Sequence, residues 1–326
     1  MKKAQFWERE KENVRCRLCP HNCLLLEDKT GVCRTKKNID NELFSLNYGR
    51  ITSLSLDPIE KKPLYHFYPG SYILSVGTFG CNLKCAFCQN HEISQDQTNT
   101  VYSDTNELLK IVGNIGNNLG VAFTYNEPLM WYEYIIDFAP KFKRLYSDKK
   151  IVLVTNGFIN EEPLIKLLPY IDALNIDLKA FTDNFYRKIC KGKLSPVLET
   201  IKHVYNKCHL EVTTLIVTDE NDSAEEIEMI GAFLGTLDKN IPLHLSRYHP
   251  DYLMKTPATP VERLIEAKKI AEKHVNYVYL GNVYREDNNT YCPACGSMVY
   301  SRDHDKSYLI GNSCPECGSV IPLIFT

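Results

Sequence analysis

The sequence of 326 residues has almost no net charge, since 38 lysines and arginines against 40 aspartates and glutamates leave -2. The basic footprint of a nucleic-acid binder is missing, so no nucleic-acid partner is expected. A run of eighteen apolar residues is absent as well. The opening "MKKAQFWEREKENVR" puts charges where a secretory signal needs its apolar segment. Together these absences predict a cytoplasmic protein with no membrane partner. Low-complexity tracts, heptads and long-period repeats are missing too. Cysteine is abundant, with 13 in all.

A reducing compartment argues against a disulfide scaffold, so metal binding is the default reading of these thiols. Their distribution agrees. Eleven fall into three groups: Cys16, Cys19, Cys23 and Cys33; Cys81, Cys85 and Cys88; and Cys292, Cys295, Cys314 and Cys317. Cys190 and Cys208 stand alone and read as small buried apolar side chains.

Between residues 72 and 281, short β-rich runs alternate with longer helical segments, the pattern of βαβ units on a parallel sheet. Strands are predicted at "YILSVGTF", "VAFT", "IVLVT", "DALNID", "LEVTTLIV", "PLHLS" and "YVYLG". The fold class is therefore α/β, as a partial (β/α) barrel. Thr259, Pro260 and Glu262 predict an N-cap, a first helical residue and a capping-box partner. Shifts in composition place a small cysteine-rich module at 1–45, the barrel at 46–282 and a second small module at 283–326.

In a parallel barrel, chemistry gathers at the C-terminal ends of the strands. The polar motifs obey that rule: the cysteine triplet follows the first strand, "YNEP" (125–128) the second, "TNG" (155–157) the third, "DLK" (177–179) the fourth and "SRYHP" (246–250) the sixth. Each motif alone is an ordinary turn or surface pair. Their joint placement marks a site. "DPIEKKPLYHFYPGS", just before the first strand, is either an edge of that site or a packed entry segment.

The cysteine groups differ in spacing. "CPACG" and "CPECG" have the spacing of a zinc ribbon, with Gly296 and Gly318 letting the backbone turn its N–H groups toward the sulfurs. Residues 283–326 hold three basic side chains against five acidic ones, which disfavours phosphate contact. A structural zinc is expected there. The C-x2-C-x3-C-x9-C group at the N-terminus suits four thiolates around zinc or a second iron–sulfur cluster, and zinc is preferred because the loop from Cys23 to Cys33 is charged. His21 reads as a solvated loop residue. The triplet C-x3-C-x2-C, with Phe87 before its last cysteine, has no fourth ligand. Three thiolates can hold three irons of a [4Fe–4S] cube and leave the fourth iron open.

These residues resemble the radical S-adenosylmethionine (SAM) enzymes encoded beside AMMECR1- and Memo-type proteins, relatives of the glycyl-radical-enzyme activases. The likeness runs through "CRLCPHNC", "GTFGCNLKCAFCQN", "YNEP", "VTNGF", "NIDLKAF", "SRYHPDY" and "YLGNVY" to the C-terminal knuckles. It implies that S-adenosylmethionine chelates the open iron and is cleaved, after one-electron reduction, to a 5′-deoxyadenosyl radical that takes hydrogen from a substrate. It also implies an electron donor such as flavodoxin or ferredoxin. By the same resemblance Cys81, Cys85 and Cys88 are catalytic ligands, Leu83 and Phe87 shield the site, and Asn126 and Glu127 meet the ammonium group of S-adenosylmethionine. Asp177 and Lys179 meet its sulfonium and carboxylate side, His249 its ribose, and Asn156 is a further contact. "YNEP" stands where activases have a glycine pair, and Val154 where some have an acidic residue. The substrate is left open between a small molecule or peptide of an AMMECR1/Memo-linked pathway and the protein partner of an activase. A zinc-ribbon interaction protein is the remote alternative.

Overall fold

In the computed structural model of the chain, which describes residues 1–96, 98–284 and 286–325, all seven β-rich runs form parallel strands of one sheet. An eighth strand precedes them. The order is β1 (Ser53–Pro58), β2 (Tyr72–Gly77), β3 (Gly120–Phe123), β4 (Lys150–Thr155), β5 (Ala173–Asp177), β6 (His209–Ile216), β7 (Leu243–Arg247) and β8 (Val278–Gly281), each paired with the next. Only β1 runs antiparallel, with Ser53 opposite Gly77 and Pro58 opposite Tyr72. No ladder joins β8 to β1 among the described residues, so the barrel is partial.

The central strands are apolar on both faces because helices cover one side and the barrel interior the other; Val121, Ala122, Phe123, Ile151 and Val152 are all fully buried. The crossovers are α1 (Thr105–Asn114), α2 (Tyr132–Leu145), α3 (Glu161–Leu167), α4 (Leu194–Val204), α5 (Ala224–Leu237) and α6 (Val261–Ala271). At α1 the Asp104 carboxylate accepts from Asn106 N and Glu107 N while Glu107 accepts from Asp104 N, which satisfies donors that a helix start otherwise leaves orphaned. The capping box expected at α6 does not form. Its N-cap is Pro260, and the Thr259 hydroxyl instead donates to Ile216 O at the end of β6. A tertiary partner won over the local one.

Residues 1–45 form two three-stranded antiparallel sheets. Their Val14, Leu18, Leu25 and Leu43 pack into the same core as the barrel helices. The C-terminal strands Thr290–Tyr291, Met298–Ser301 and Lys306–Ser307 have a core of their own, built on Val299, Tyr300, Ile321 and Leu323. Arg302 docks this piece on the barrel: its guanidinium lies 4.3 Å from the Tyr65 ring centroid and 5.1 Å from that of Tyr279, and Nη2 donates to Tyr65 O at 2.7 Å. No helix among the described residues is long and apolar enough to cross a membrane.

Both readings of "DPIEKKPLYHFYPGS" apply, to different parts. Its first half ends β1 and reaches the mouth of the barrel, whereas Tyr65 and His66 plug the opposite end, where their backbone N–H groups donate to the buried Glu211 carboxylate at 3.0 and 2.7 Å. His209 and His244 complete the shell of that carboxylate and hold it far below the usual carboxylate range against the cost of burial.

Candidate active site

A cleft of about 490 Å³ opens at the C-terminal ends of the strands. It is lined by the three cysteines after β2, by Tyr125, Asn126 and Glu127 after β3, Asn156 after β4, Asp177 and Lys179 at β5, Ser246 of β7 and Asn282 after β8. Asp57, Lys61 and Lys62 close the side beside β1. Phe87, buried, and Leu83 line it as well. His249 is exposed at the end of its segment, and Ser246 is the residue of "SRYHP" that faces the cleft.

The cysteine loop is held by side chains from the next two strands. Asn126 Oδ1 accepts from Thr78 N at 3.1 Å and its Nδ2 donates to Gly80 O at 2.7 Å, so both ends of the amide grip the loop start. Tyr125, where activases have glycine, adopts φ +73°, the left-handed conformation that glycine takes most easily. Its hydroxyl donates to Asp57 Oδ2 at 2.8 Å, and Lys62 Nζ binds the same oxygen at 2.9 Å. Those bonds hold the strained residue in place. Glu127 accepts from Thr155 Oγ1, Asn156 N and Leu129 N at 2.6, 2.8 and 2.9 Å, tying β3 to β4, while burial raises its pKa to about 7. Asn156 Nδ2 donates to Asn82 Oδ1 at 2.9 Å and approaches Cys81 Sγ at 3.6 Å.

Asp177 and Lys179 form an ion pair at 2.9 Å, with the lysine amine 5.8 Å from the Phe87 ring centroid. Burial works against the charge on Lys179, but Asp177 and the Cys85 sulfur outweigh it and keep the amine protonated. The cleft therefore presents a fixed cation and a carboxylate beside three thiols.

Cys190 belongs to this site although nothing in its sequence neighbourhood announces it. The residue ends a π-helical turn, Tyr186–Cys190, and its buried thiol lies against that of Cys85. Lys84 N and Ala86 N donate to the carbonyls of Cys190 and Ile189 at 2.8 and 3.1 Å, fixing the cysteine loop from a third direction. Only the tertiary fold could reveal this contact.

The terminal groups differ from each other. Cys292, Cys295, Cys314 and Cys317 bring their sulfurs within 4.8 Å of one another, which fits one tetrahedral ion. Gly296 and Gly318 take φ +78° and +75°, as a knuckle turn requires, yet their N–H groups donate to Cys292 O and Cys314 O rather than to sulfur. At the N-terminus, Cys16, Cys19, Cys23 and Cys33 line one small cavity together with His21, Leu18 and Met130. His21 is thus no solvated loop residue: its Nε2 donates to Asn82 O at 2.7 Å.

Residues 75–234, from β2 through most of α5, match the Radical SAM superfamily. The chain belongs to the radical SAM superfamily. It is 40% identical to an uncharacterized protein of Methanocaldococcus jannaschii, over 99% of this chain and 100% of that one. A second protein of that organism, provisionally named a glycyl-radical enzyme activating enzyme, is 27% identical over 62% of this chain and 77% of its own. Among solved structures, Streptococcus suis SuiB bound to S-adenosylmethionine shares the fold with a TM-score of 0.51 at 15% identity, covering 64% of this chain and 51% of that one. This radical SAM chain is an enzyme, related to the activases. Superfamily membership implies a [4Fe–4S] cluster, S-adenosylmethionine and a one-electron donor, and three convergent thiols beside a charged pair are a donor set that fits them.

Proposed function

We propose that Cys81, Cys85 and Cys88 hold the [4Fe–4S] cluster and that the enzyme abstracts hydrogen from a polar small molecule or peptide in an AMMECR1/Memo-linked pathway of the cytoplasm. The observation that carries this reading is the three-thiol loop opening onto a cleft that also holds the Asp177–Lys179 pair. When bound, the cluster and S-adenosylmethionine supply a carbon radical able to attack an unactivated C–H bond. The protein's part is to bind, orient and shield. Lys179, kept charged, would hold the carboxylate of the methionine moiety, and Asp177 its cationic side. Leu83 and Phe87 exclude water around the sulfurs. Asn126 and Glu127 act by positioning, because their hydrogen bonds are already committed to the loop and to β4. Asn156 steadies Cys81. Ser246 takes the ribose-facing role that the resemblance gives to His249. The mixed charges of Asp57, Lys61 and Lys62 suit a polar substrate at the mouth. A structural zinc in the C-terminal knuckles completes the holoenzyme.

Similarity to the provisionally named activating enzyme favours a second reading, in which the substrate is a glycine of a partner enzyme. Anaerobic reconstitution tests the shared core of both. The reduced cluster's electron paramagnetic resonance signal should shift on adding S-adenosylmethionine, and 5′-deoxyadenosine should form. Alanine at Cys81, Cys85 and Cys88 should remove both effects; persistence of either refutes the proposal. Lys179→Ala and Asp177→Ala should keep the cluster but weaken S-adenosylmethionine binding about ten- to a hundredfold, the worth of one charged hydrogen bond.

A further inference from the structure

The first four cysteines form a site that hydrogen abstraction does not itself require, and their surroundings contradict the reason for preferring zinc. The charges of the 23–33 loop face solvent: Glu27, Asp28 and Lys29 are exposed. The thiols turn the other way, onto the small cavity walled by Leu18 and Met130, with Cys16, Cys19 and Cys33 buried in the main core. Apart from His21 and the buried Lys36, which is paired with Glu133, that wall is apolar, as a low-potential cluster needs.

Sulfur spacing points the same way. A tetrahedral ion with bonds of about 2.3 Å sets its thiolates about 3.8 Å apart. The C-terminal group comes close to this, with Cys292–Cys317 at 3.5 Å and Cys295–Cys314 at 3.6 Å. Among the described residues no other group of three or more cysteines, histidines or carboxylates has its ligand atoms within 4.8 Å of one another. No three of the N-terminal sulfurs therefore crowd together as the C-terminal four do around the place of a single ion. A Cβ on Gly31 would stand 3.7 Å from Cys23 Sγ and 3.8 Å from Cys33 Sγ, so bare backbone borders the space between those sulfurs.

We propose that Cys16, Cys19, Cys23 and Cys33 hold a second [4Fe–4S] cluster, and that it passes single electrons to the catalytic one. The two ligand loops touch. Cys33 O lies 2.6 Å from where a Cβ of Gly80 would be, one residue before Cys81, and His21 bonds the carbonyl of Asn82, one residue after it. Beside Cys33 stands Arg34, whose buried Nε and Nη2 have no hydrogen-bond partner among the described residues. A cation so placed offsets the negative charge that reduction adds. Each transfer moves one electron and no atom: a reduced flavodoxin or ferredoxin is oxidised, the N-terminal cluster is reduced and then reoxidised, and the catalytic cluster gains the electron that breaks the sulfur–carbon bond. The relay rests on the function proposed above; the cluster does not.

The full-length variant Cys81→Ala/Cys85→Ala/Cys88→Ala, reconstituted anaerobically, isolates the new site. It should keep about four irons and four acid-labile sulfides per chain and, when reduced with dithionite, a paramagnetic signal that S-adenosylmethionine does not shift. Absence of labile sulfide overturns the cluster. For the relay, Cys23→Ala should slow reduction of the catalytic cluster by reduced flavodoxin at least tenfold while dithionite still reduces it; an unchanged rate overturns the relay and leaves the cluster standing. Fully reduced wild type gives a check that needs no N-terminal variant. Its spectrum should show dipolar broadening absent from the triple variant, and an unbroadened spectrum counts against the relay. Failure of the abstraction chemistry itself would look different: two clusters, neither responding to S-adenosylmethionine.

Discussion

At the C-terminal site two of four cysteines, Cys295 and Cys317, are exposed, and hydrogen bonds from Ser319 draw the Cys317 thiol down to about 6. At the N-terminal site three of four are buried, and desolvation pushes Cys16 up to about 12. The ligand chemistry is the same and the construction is opposite. One site is made by two local turns over a small core of its own, and the other by packing a cysteine loop into the core of the barrel. A local site can be lost without the rest of the fold, whereas losing the buried ligands of a site shared with the main core costs the core itself.

The sharpest way to break this comparison is to remove ligands from each. Cys16→Ala with Cys19→Ala should leave little folded protein, because it empties a site in the main core. Cys292→Ala should lower the melting temperature by only a few degrees, with increased hydrogen exchange confined to about residues 290–325 and the catalytic cluster's spectrum intact. Equal global losses would show that the two sites are not different in kind. Next in size is Gly80→Ala. At φ +89°, its Cβ would meet Thr35 Cγ2 at 2.4 Å and Cys33 O at 2.6 Å, forcing apart the N-terminal and catalytic loops. A cost of about 2–4 kcal/mol in chemical denaturation and a weakened cluster are expected.

Much of this was legible because the barrel is written in periodic, local code. All seven parallel strands stand where the β-rich runs do, five of them followed by polar motifs, and the C-P-x-C-G turns specify their own knuckles. Antiparallel β1 escaped because Leu54 and Leu56 are exposed on it, so its alternation does not read as a buried strand. Cys190 escaped for another reason: it meets the cysteine loop only through folding, and no spacing in the chain encodes that contact. For the 23–33 loop, sequence shows the charge but not that Glu27, Asp28 and Lys29 face solvent.

A smaller effect concerns how the C-terminal piece is attached. Arg302→Ala would remove stacking on Tyr65 and Tyr279 and the bond to Tyr65 O, a loss of about 2 kcal/mol. The measurement is exchange protection in the C-terminal strands, which should fall while that of β3 and β4 stays unchanged. Loss of protection across the barrel would mean that the plug at Tyr65 and His66 depends on the module, and the contrast between local and shared sites would narrow.

The smallest effect is expected at Gly296, and it pairs with Gly80 as a control. Both glycines are left-handed, but a Cβ at Gly296, φ +78°, would meet nothing within 4 Å. Gly296→Ala therefore costs only the backbone strain of a left-handed alanine, about 1–2 kcal/mol. Gly296→Asn should recover part of it, because asparagine tolerates that conformation. The Gly296 N–H donates to Cys292 O and not to a sulfur, so metal content of the C-terminal site should be unchanged in both variants. Loss of metal from Gly296→Ala at unchanged stability would show that the turn acts on the thiolates directly, against the reading of a knuckle held by its carbonyl bonds.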